Sequence, residues 1–122
     1  MSSGLPEPKP LYSVYQAGDL STICFRAVRN NPAQPSDFLS FADLGTRFDW
    51  WMAHRAVGTS LWEDWLTALA LARRKGFPHV ASVDLARADY RTPWARTGVK
   101  SHVTVWAPAA LLLQAVVNLV DT

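Results

Sequence analysis

The sequence contains one cysteine, three histidines and six glycines in 122 residues. The lone cysteine, Cys24, excludes an intramolecular disulfide and fits a reducing compartment. His54, His79 and His102 are far apart, and no HxxxH or CxxC motif offers zinc ligands. The glycines are scattered singly, and neither GxGxxG nor GxxxxGK(S/T) is present. We therefore predict no metal site and no glycine-rich phosphate loop.

Long apolar runs are also missing. The longest stretch without Asp, Glu, Lys or Arg is 101–120, and it is interrupted by polar residues and by Pro108. A membrane-spanning helix needs about 20 consecutive apolar residues, so the sequence predicts none. The first residues lack the basic-then-apolar pattern of an export signal. We therefore expect a cytoplasmic protein with no membrane contact.

Charge of either sign is modest, with twelve Lys and Arg against ten Asp and Glu and a net charge of +2. An excess of this size does not require a nucleic-acid partner. The hydrophobic fraction is 49%, which excludes a disordered chain. Pro6, Pro8 and Pro10 predict a flexible arm over 1–10, because each proline restricts its own backbone and that of its predecessor. Residues 11–122 have the size of a single domain.

Several segments combine β-branched or aromatic residues with flanking turn residues, which is typical of strands. We predict strands over 11–15, 21–28, 79–85, 102–106 and 115–120. The apolar run of the last segment is also compatible with an extension of a short helix over 109–113. Asp37 is a candidate cap for another short helix, which would stop at Gly45.

The clearest helical signal covers 60–75. Ser60 and Glu63 match a capping box, and an apolar stripe at helical spacing, expected to pack on a core, consists of Trp62, Trp65, Leu66 and Leu69. Residues 86–100 form a polar connection without a regular pattern. The order of elements predicts an α+β fold, with a small, mostly antiparallel sheet and one main amphipathic helix.

Arg26 is a candidate binding residue because it lies in an apolar strand, on the same face as Cys24. A buried arginine needs an anion. That anion is either a ligand phosphate or an internal carboxylate such as Asp37 or Asp84. Cys24 itself, between Ile23 and Phe25, is expected to be a buried, inert thiol.

Two further candidates lie near the carboxyl end. His102 opens a strand, either as an ordinary edge histidine or as a general acid or base near neutral pH. The connection 86–100 interleaves cations with Tyr90 and Trp94. It is either a solvated loop anchored by Trp94 or a surface that stacks bases and neutralises phosphates.

These pieces occur in an order that resembles the ADP-ribosyltransferase-like superfamily, compact NAD-binding domains with a split sheet. The strand around Arg26 is similar to the family's arginine strand, and Gly58-Thr59-Ser60-Leu61 is similar to its second motif. The segment from His102 to Pro108 resembles the last strand region, with His102 where the family has its glutamate. The resemblance covers about residues 22–121.

The resemblance implies a small, bacterial-type enzyme that processes NAD or a related nucleotide or phosphorylated small molecule. Its implied site residues are Arg26 for phosphate, Thr59 or Ser60 for ribose, Tyr90 or Trp94 for stacking, and His102 acting on the ribose. The alternative is a non-catalytic protein-interaction module: an inactive relative, an immunity or toxin–antitoxin protein, or an assembly subunit.

The missing glutamate and the six tryptophans motivate that alternative, with Trp50, Trp51 or Trp94 forming the protein contact. Of the two hypotheses, the nucleotide-processing enzyme is the preferred one. Nucleic-acid binding through 86–100 ranks last. Whether the chain is an enzyme stays open at the level of sequence.

Overall fold

The computed structural model describes residues 15–16, 23–40, 42–43, 45, 57–87, 92–97 and 101–122. Two helices and seven strands account for most of these residues. The helices are α1 (Trp65–Lys75) and α2 (Ala109–Gln114). The strands are β1 (Tyr15–Gln16), β2 (Ile23–Val28), β3 (Thr59–Trp62), β4 (His79–Asp84), β5 (Pro93–Arg96), β6 (His102–Val105) and β7 (Val116–Asp121). The predicted arm 1–10 lies outside the described residues.

The strands form one sheet in the order β1-β5-β6-β3-β2-β4-β7, and all neighbouring strands are antiparallel. The predicted α+β class and antiparallel sheet are therefore confirmed. The described strands are continuous from β1 to β7, so the split in the predicted sheet is not found among them. Among the described residues, no helix has the length and apolar character needed to cross a membrane.

Strand alternation gives the sheet two apolar faces. Cys24 and Val28 lie on the face that packs against α2 and Phe38, here called the α2 face. Phe25 and Ala27 lie on the opposite, α1 face, where they pack against α1. Each face is covered by its own helix, so the sheet is the middle layer of the domain.

Most predicted strands are confirmed with shifts of one or two residues at their ends. The segments 21–28, 79–85, 102–106 and 115–120 correspond to β2, β4, β6 and β7. The last segment is thus a strand and does not extend α2. Of the predicted strand 11–15, only Tyr15 is described, and it begins β1.

The predicted start of the main helix at residue 60 is wrong. Ser60 and Trp62 pair with Thr104 and His102 in the sheet, so their backbone groups are satisfied by β6 and not by a helical turn. The helix begins at Trp65, and the Asp64 carboxylate caps it by accepting from the Thr67 backbone N–H at 2.9 Å. Tertiary pairing therefore overrides the capping-box signal. Leu66 of the predicted apolar stripe is 69% exposed, so it does not pack on the core as Trp65 and Leu69 do.

Glu63, the other member of that predicted box, has a different partner. Its Oε1 accepts from Arg96 Nε at 2.6 Å, and this contact links the end of β3 to β5. The hydrogen bond to Glu63 raises the pKa of the Arg96 guanidinium above its usual range. Because the pair is partly exposed, its contribution to stability is small.

Two other expectations also need correction. The segment 86–100 is not wholly irregular, since Pro93–Arg96 forms β5 between β1 and β6. Pro93 is its first residue, a position where a missing N–H is tolerated. Asp37 does not start a helix that reaches Gly45. It lies within a short 3-10 helix, Pro35–Phe38.

Gly58 precedes β3 at a point where the chain passes close to β6. A Cβ atom at this position would lie 2.3 Å from Thr104 Cγ2 and 3.1 Å from Trp106 Nε1. A contact of that length is a steric clash, so a glycine is required here for space.

We expect Gly58→Ala to lower the free energy of unfolding by about 1–3 kcal/mol, because the added methyl group overpacks the site. Thr104→Ser removes Cγ2, so Gly58→Ala should cost less in that background. Urea denaturation of the four proteins of this double-mutant cycle measures the coupling. Equal costs in both backgrounds would show that the clash with Thr104 is not the cause.

Candidate functional site

The Arg26 guanidinium binds backbone carbonyls and not a carboxylate. Nε donates to the Asp37 carbonyl, Nη1 donates to the Ser60 carbonyl at 2.7 Å, and Nη2 donates to the Leu39 carbonyl at 3.4 Å. Within the described part of the chain, no carboxylate forms an ion pair with it. Burial lowers the pKa of Arg26 to about 10, and the nearby Asp37 charge opposes the shift. The side chain therefore remains protonated at neutral pH.

The Asp37 carboxylate, one of the two expected partners of Arg26, is used elsewhere. It accepts from the backbone N–H of Gln34 at 2.8 Å and of Arg29 at 2.9 Å. It also accepts from Asn30 Nδ2 at 3.1 Å. The carboxylate thereby closes the connection between β2 and the 3-10 helix. Asp37 contributes to the Arg26 site only through its carbonyl and its longer-range charge.

Thr59 and Ser60 do lie close to Arg26, as the resemblance implies, but in structural roles. The Thr59 hydroxyl is buried and donates to the Phe38 carbonyl at 2.8 Å. The Ser60 carbonyl accepts from Arg26. Together these bonds attach the segment 37–39 to β3. The Arg26 and Thr59 side chains and the Ser60 carbonyl thus connect β2, β3 and the 3-10 helix.

His102 is a buried residue at the start of β6. Its Nδ1 lies 2.8 Å from the Thr97 carbonyl and 2.8 Å from Thr97 Oγ1, whose hydroxyl is also 2.6 Å from Thr104 Oγ1. Because a carbonyl oxygen only accepts, Nδ1 carries the proton in that bond. The Trp62 ring packs edge-to-face on the imidazole, with ring centroids 4.8 Å apart. Nδ1 is therefore occupied in closing the β5–β6 hairpin.

The sheet separates Arg26 from His102. Phe25 is opposite Trp62 in β3, and Trp62 is opposite His102 in β6, so these three residues share the α1 face. Arg26 follows Phe25 directly and therefore lies on the α2 face. The two side chains named as phosphate and ribose ligands do not face a common cleft.

Of the two aromatic residues that were candidates for stacking a base, Tyr90 and Trp94, the structure describes only Trp94. Tyr90 lies outside the described residues, as do Trp50 and Trp51. Trp94 is fully buried in β5, and Tyr15 stacks on it with ring centroids 4.9 Å apart. Burial leaves Trp94 no surface with which to stack a base or to contact a partner protein. It is a core residue of the α2 face.

Cys24 is a buried free thiol, as expected. Desolvation by burial is the main cause that raises its pKa to about 12, and the Glu63 charge adds to the shift. A thiol with this pKa is neutral at physiological pH, and the thiolate is the nucleophilic form. Cys24 is therefore not a nucleophile in the folded domain.

The surface feature that sequence reasoning missed is the β7 edge of the sheet. β7 pairs with β4 on one side and is the last strand of the described sheet on the other. Val117 and Val120 are 40% and 37% exposed, and the strand carries one charge, on Asp121. Natural edge strands are usually protected by lysine, proline or a covering segment. β7 contains neither lysine nor proline.

The sequence contains a signal for strand β7, but this signal does not distinguish an edge strand from a central one. The charge-free stretch 101–120 ends in Val116-Val117-Asn118-Leu119-Val120, which combines high β-propensity with no proline. Such a run is typical of a buried central strand as well as of an edge. Only the strand order places it at the border of the sheet.

Within the described residues, no group of three His, Cys, Asp or Glu side chains is arranged to hold a metal ion. No family model, curated protein or solved structure matches the chain. The fold and the contacts described above are therefore the basis for any function assigned to the domain.

We predict that Arg26→Met lowers the free energy of unfolding by about 2–4 kcal/mol, because it leaves the carbonyls bound by Arg26 without donors. Arg29→Met is the matched control from the same part of the chain. Its guanidinium is exposed over the Phe77 ring at 4.3 Å, so the cost should be about 1 kcal/mol or less. Chemical denaturation measures both values. Equal costs would contradict a structural role for Arg26.

Proposed function

We propose that the domain is a non-catalytic protein-interaction module that binds an extended segment of a protein along β7. The observation that carries this proposal is the exposed, nearly uncharged edge strand Val116–Asp121. An unpaired edge offers a row of backbone donors and acceptors to a partner strand, and exposed apolar side chains add buried area. An inactive relative, an immunity or antitoxin-type protein and an assembly subunit all fit this description.

The arrangement of the candidate catalytic residues supports the same choice. A nucleotide-processing site needs its phosphate and ribose ligands in one cleft. Arg26 and His102 are on opposite faces of the sheet. Arg26 Nη1 and His102 Nδ1 are both hydrogen-bonded to backbone carbonyls of the domain. The ADP-ribosyltransferase resemblance, NAD binding and a cytoplasmic location stay predictions.

Thermal unfolding in the presence of NAD distinguishes a protein-interaction module from a nucleotide-binding domain. A ligand at about 100 times its Kd stabilises a protein by about 2.7 kcal/mol, which shifts the Tm by several degrees. We expect saturating NAD to leave the Tm unchanged. A rise in Tm that is lost in His102→Ala, with the fold of that variant checked by circular dichroism, would instead favour the nucleotide-binding function.

Site-specific photo-crosslinking tests the interaction directly. With a photoreactive amino acid in place of Val117, irradiation of cells of the native host should give an adduct of higher mass. The same amino acid at Leu66, which is 69% exposed on α1, serves as the control and should give none. Adding Val120→Lys should remove the adduct, because it places a charge on the edge. No adduct from position 117, or equal adducts from both positions, would contradict the proposal.

A further inference from the structure

From Asn118 to Thr122, where its pairing with β4 is regular, the backbone of β7 presents alternate residues to its open side. Thr122 N–H donates to the Pro78 carbonyl at 3.0 Å, so residue 122 directs its backbone groups toward β4. In an antiparallel ladder this direction alternates along the strand. Asn118 and Val120 therefore also point toward β4, whereas Leu119 and Asp121 direct their N–H and C=O groups away from it.

We infer that the occupant of this edge is a second copy of the chain, paired antiparallel through β7 about a two-fold axis at Leu119. This inference rests on the proposed function and names its partner. In this register the two Leu119 residues exchange both backbone hydrogen bonds, and Val120 lies opposite Asn118 of the second copy. The β4–β7 register shifts between Ser82 and Val83, so Val117 has no partner in β4 and borders the proposed pairing. A two-fold axis lets one strand supply the matching surface on both sides of the interface.

The charges of the strand are compatible with self-pairing. Asp121 carries the strand's only charge, and it is bound to His79 Nδ1 at 2.7 Å. In the proposed register the two Asp121 residues are four positions apart, about 14 Å along the strands. That separation exceeds the Debye length of about 8 Å at physiological ionic strength, so the like charges do not oppose pairing. A parallel, in-register arrangement would place them side by side.

The side chains are also self-complementary. Leu119 is opposite Ala81 in β4, so the two copies of Leu119 meet on the α2 face. Val120 is opposite Val80 and meets Asn118 of the second copy on the α1 face. The pairing thereby covers Val120, which is exposed in the single chain. A six-residue strand gives a small interface, so the dimer should dissociate on dilution.

Sedimentation of the purified full chain over a range of concentrations tests the inference. We expect the wild-type chain to shift from monomer to dimer as its concentration rises. Val117→Lys and Val120→Lys should keep it monomeric, because each adds a charge to the edge. Leu66→Lys makes the same type of change on the exposed surface of α1 and should dimerise normally. Circular dichroism and the Tm establish that each variant is folded.

Amide hydrogen exchange gives a second readout that depends on the direction of each backbone group. In dilute solution the amides of Asn118 and Val120 should exchange slowly, and those of Leu119 and Asp121 quickly. In concentrated solution the Leu119 amide should become protected as well. Protection that does not depend on concentration, a monomer at about 1 mM, or a dimer that both edge variants leave intact would overturn the inference.

The crosslinking result separates this inference from the proposed function. An adduct from position 117 with a different protein, together with a monomeric purified chain, would overturn the second copy as the occupant and retain the interaction at β7. A monomer that also gives no adduct would overturn both.

Discussion

Successive side chains of β2 point to opposite faces of the sheet, and the rest of the domain depends on this alternation. Cys24 and Val28 are buried under α2, while Phe25 and Ala27 pack against α1. Because β2 has β3 on one side and β4 on the other, its alternation sets the register of the central strands. The same constraint places Arg26 on the face opposite His102.

Polar groups within the domain mainly connect strands to the loops that cover them. Arg26 and Thr59 hold the segment 37–39 against the sheet, and Thr97 holds His102 at the end of the β5–β6 hairpin. Buried polar groups of this kind are costly when unpaired, so each is satisfied by a backbone carbonyl. Residue types that are common in active sites therefore have structural roles here. The exposed edge β7 is a more direct indication of function than these side chains.

The parts of the fold that were predictable have a strong local pattern. β2, β4 and β6 were recognisable from their β-branched residues, and the end of α1 from Gly76, whose φ of 75° is the left-handed conformation favoured by glycine. The start of α1 was predicted wrongly because Ser60 matches a helix cap and also fits a strand, and its pairing with β6 is not visible in the local sequence. β5 was missed because a four-residue strand that begins with Pro93 has too little pattern to identify it.

The candidate site was less predictable than the fold. The sequence showed that Arg26 lies in an apolar strand and that Cys24 is a buried thiol, but the anion predicted as the partner of Arg26 was wrong. It did not show that the acceptors are carbonyls of residues 37, 39 and 60, because those groups carry no residue-specific signal. The sequence made Trp94 a candidate for a surface aromatic residue. In the structure Tyr15 stacks on it, and Trp94 is part of the core.

The amino-acid sequence by itself determined the α+β class, the inert cysteine and most strand positions, because these depend on composition and on spacing between near neighbours. The tertiary structure alone decided which strand lies at the edge, which residues share a face, and that Arg26 and His102 are apart. Those properties depend on strand order and register, which are set by contacts between residues far apart in the chain.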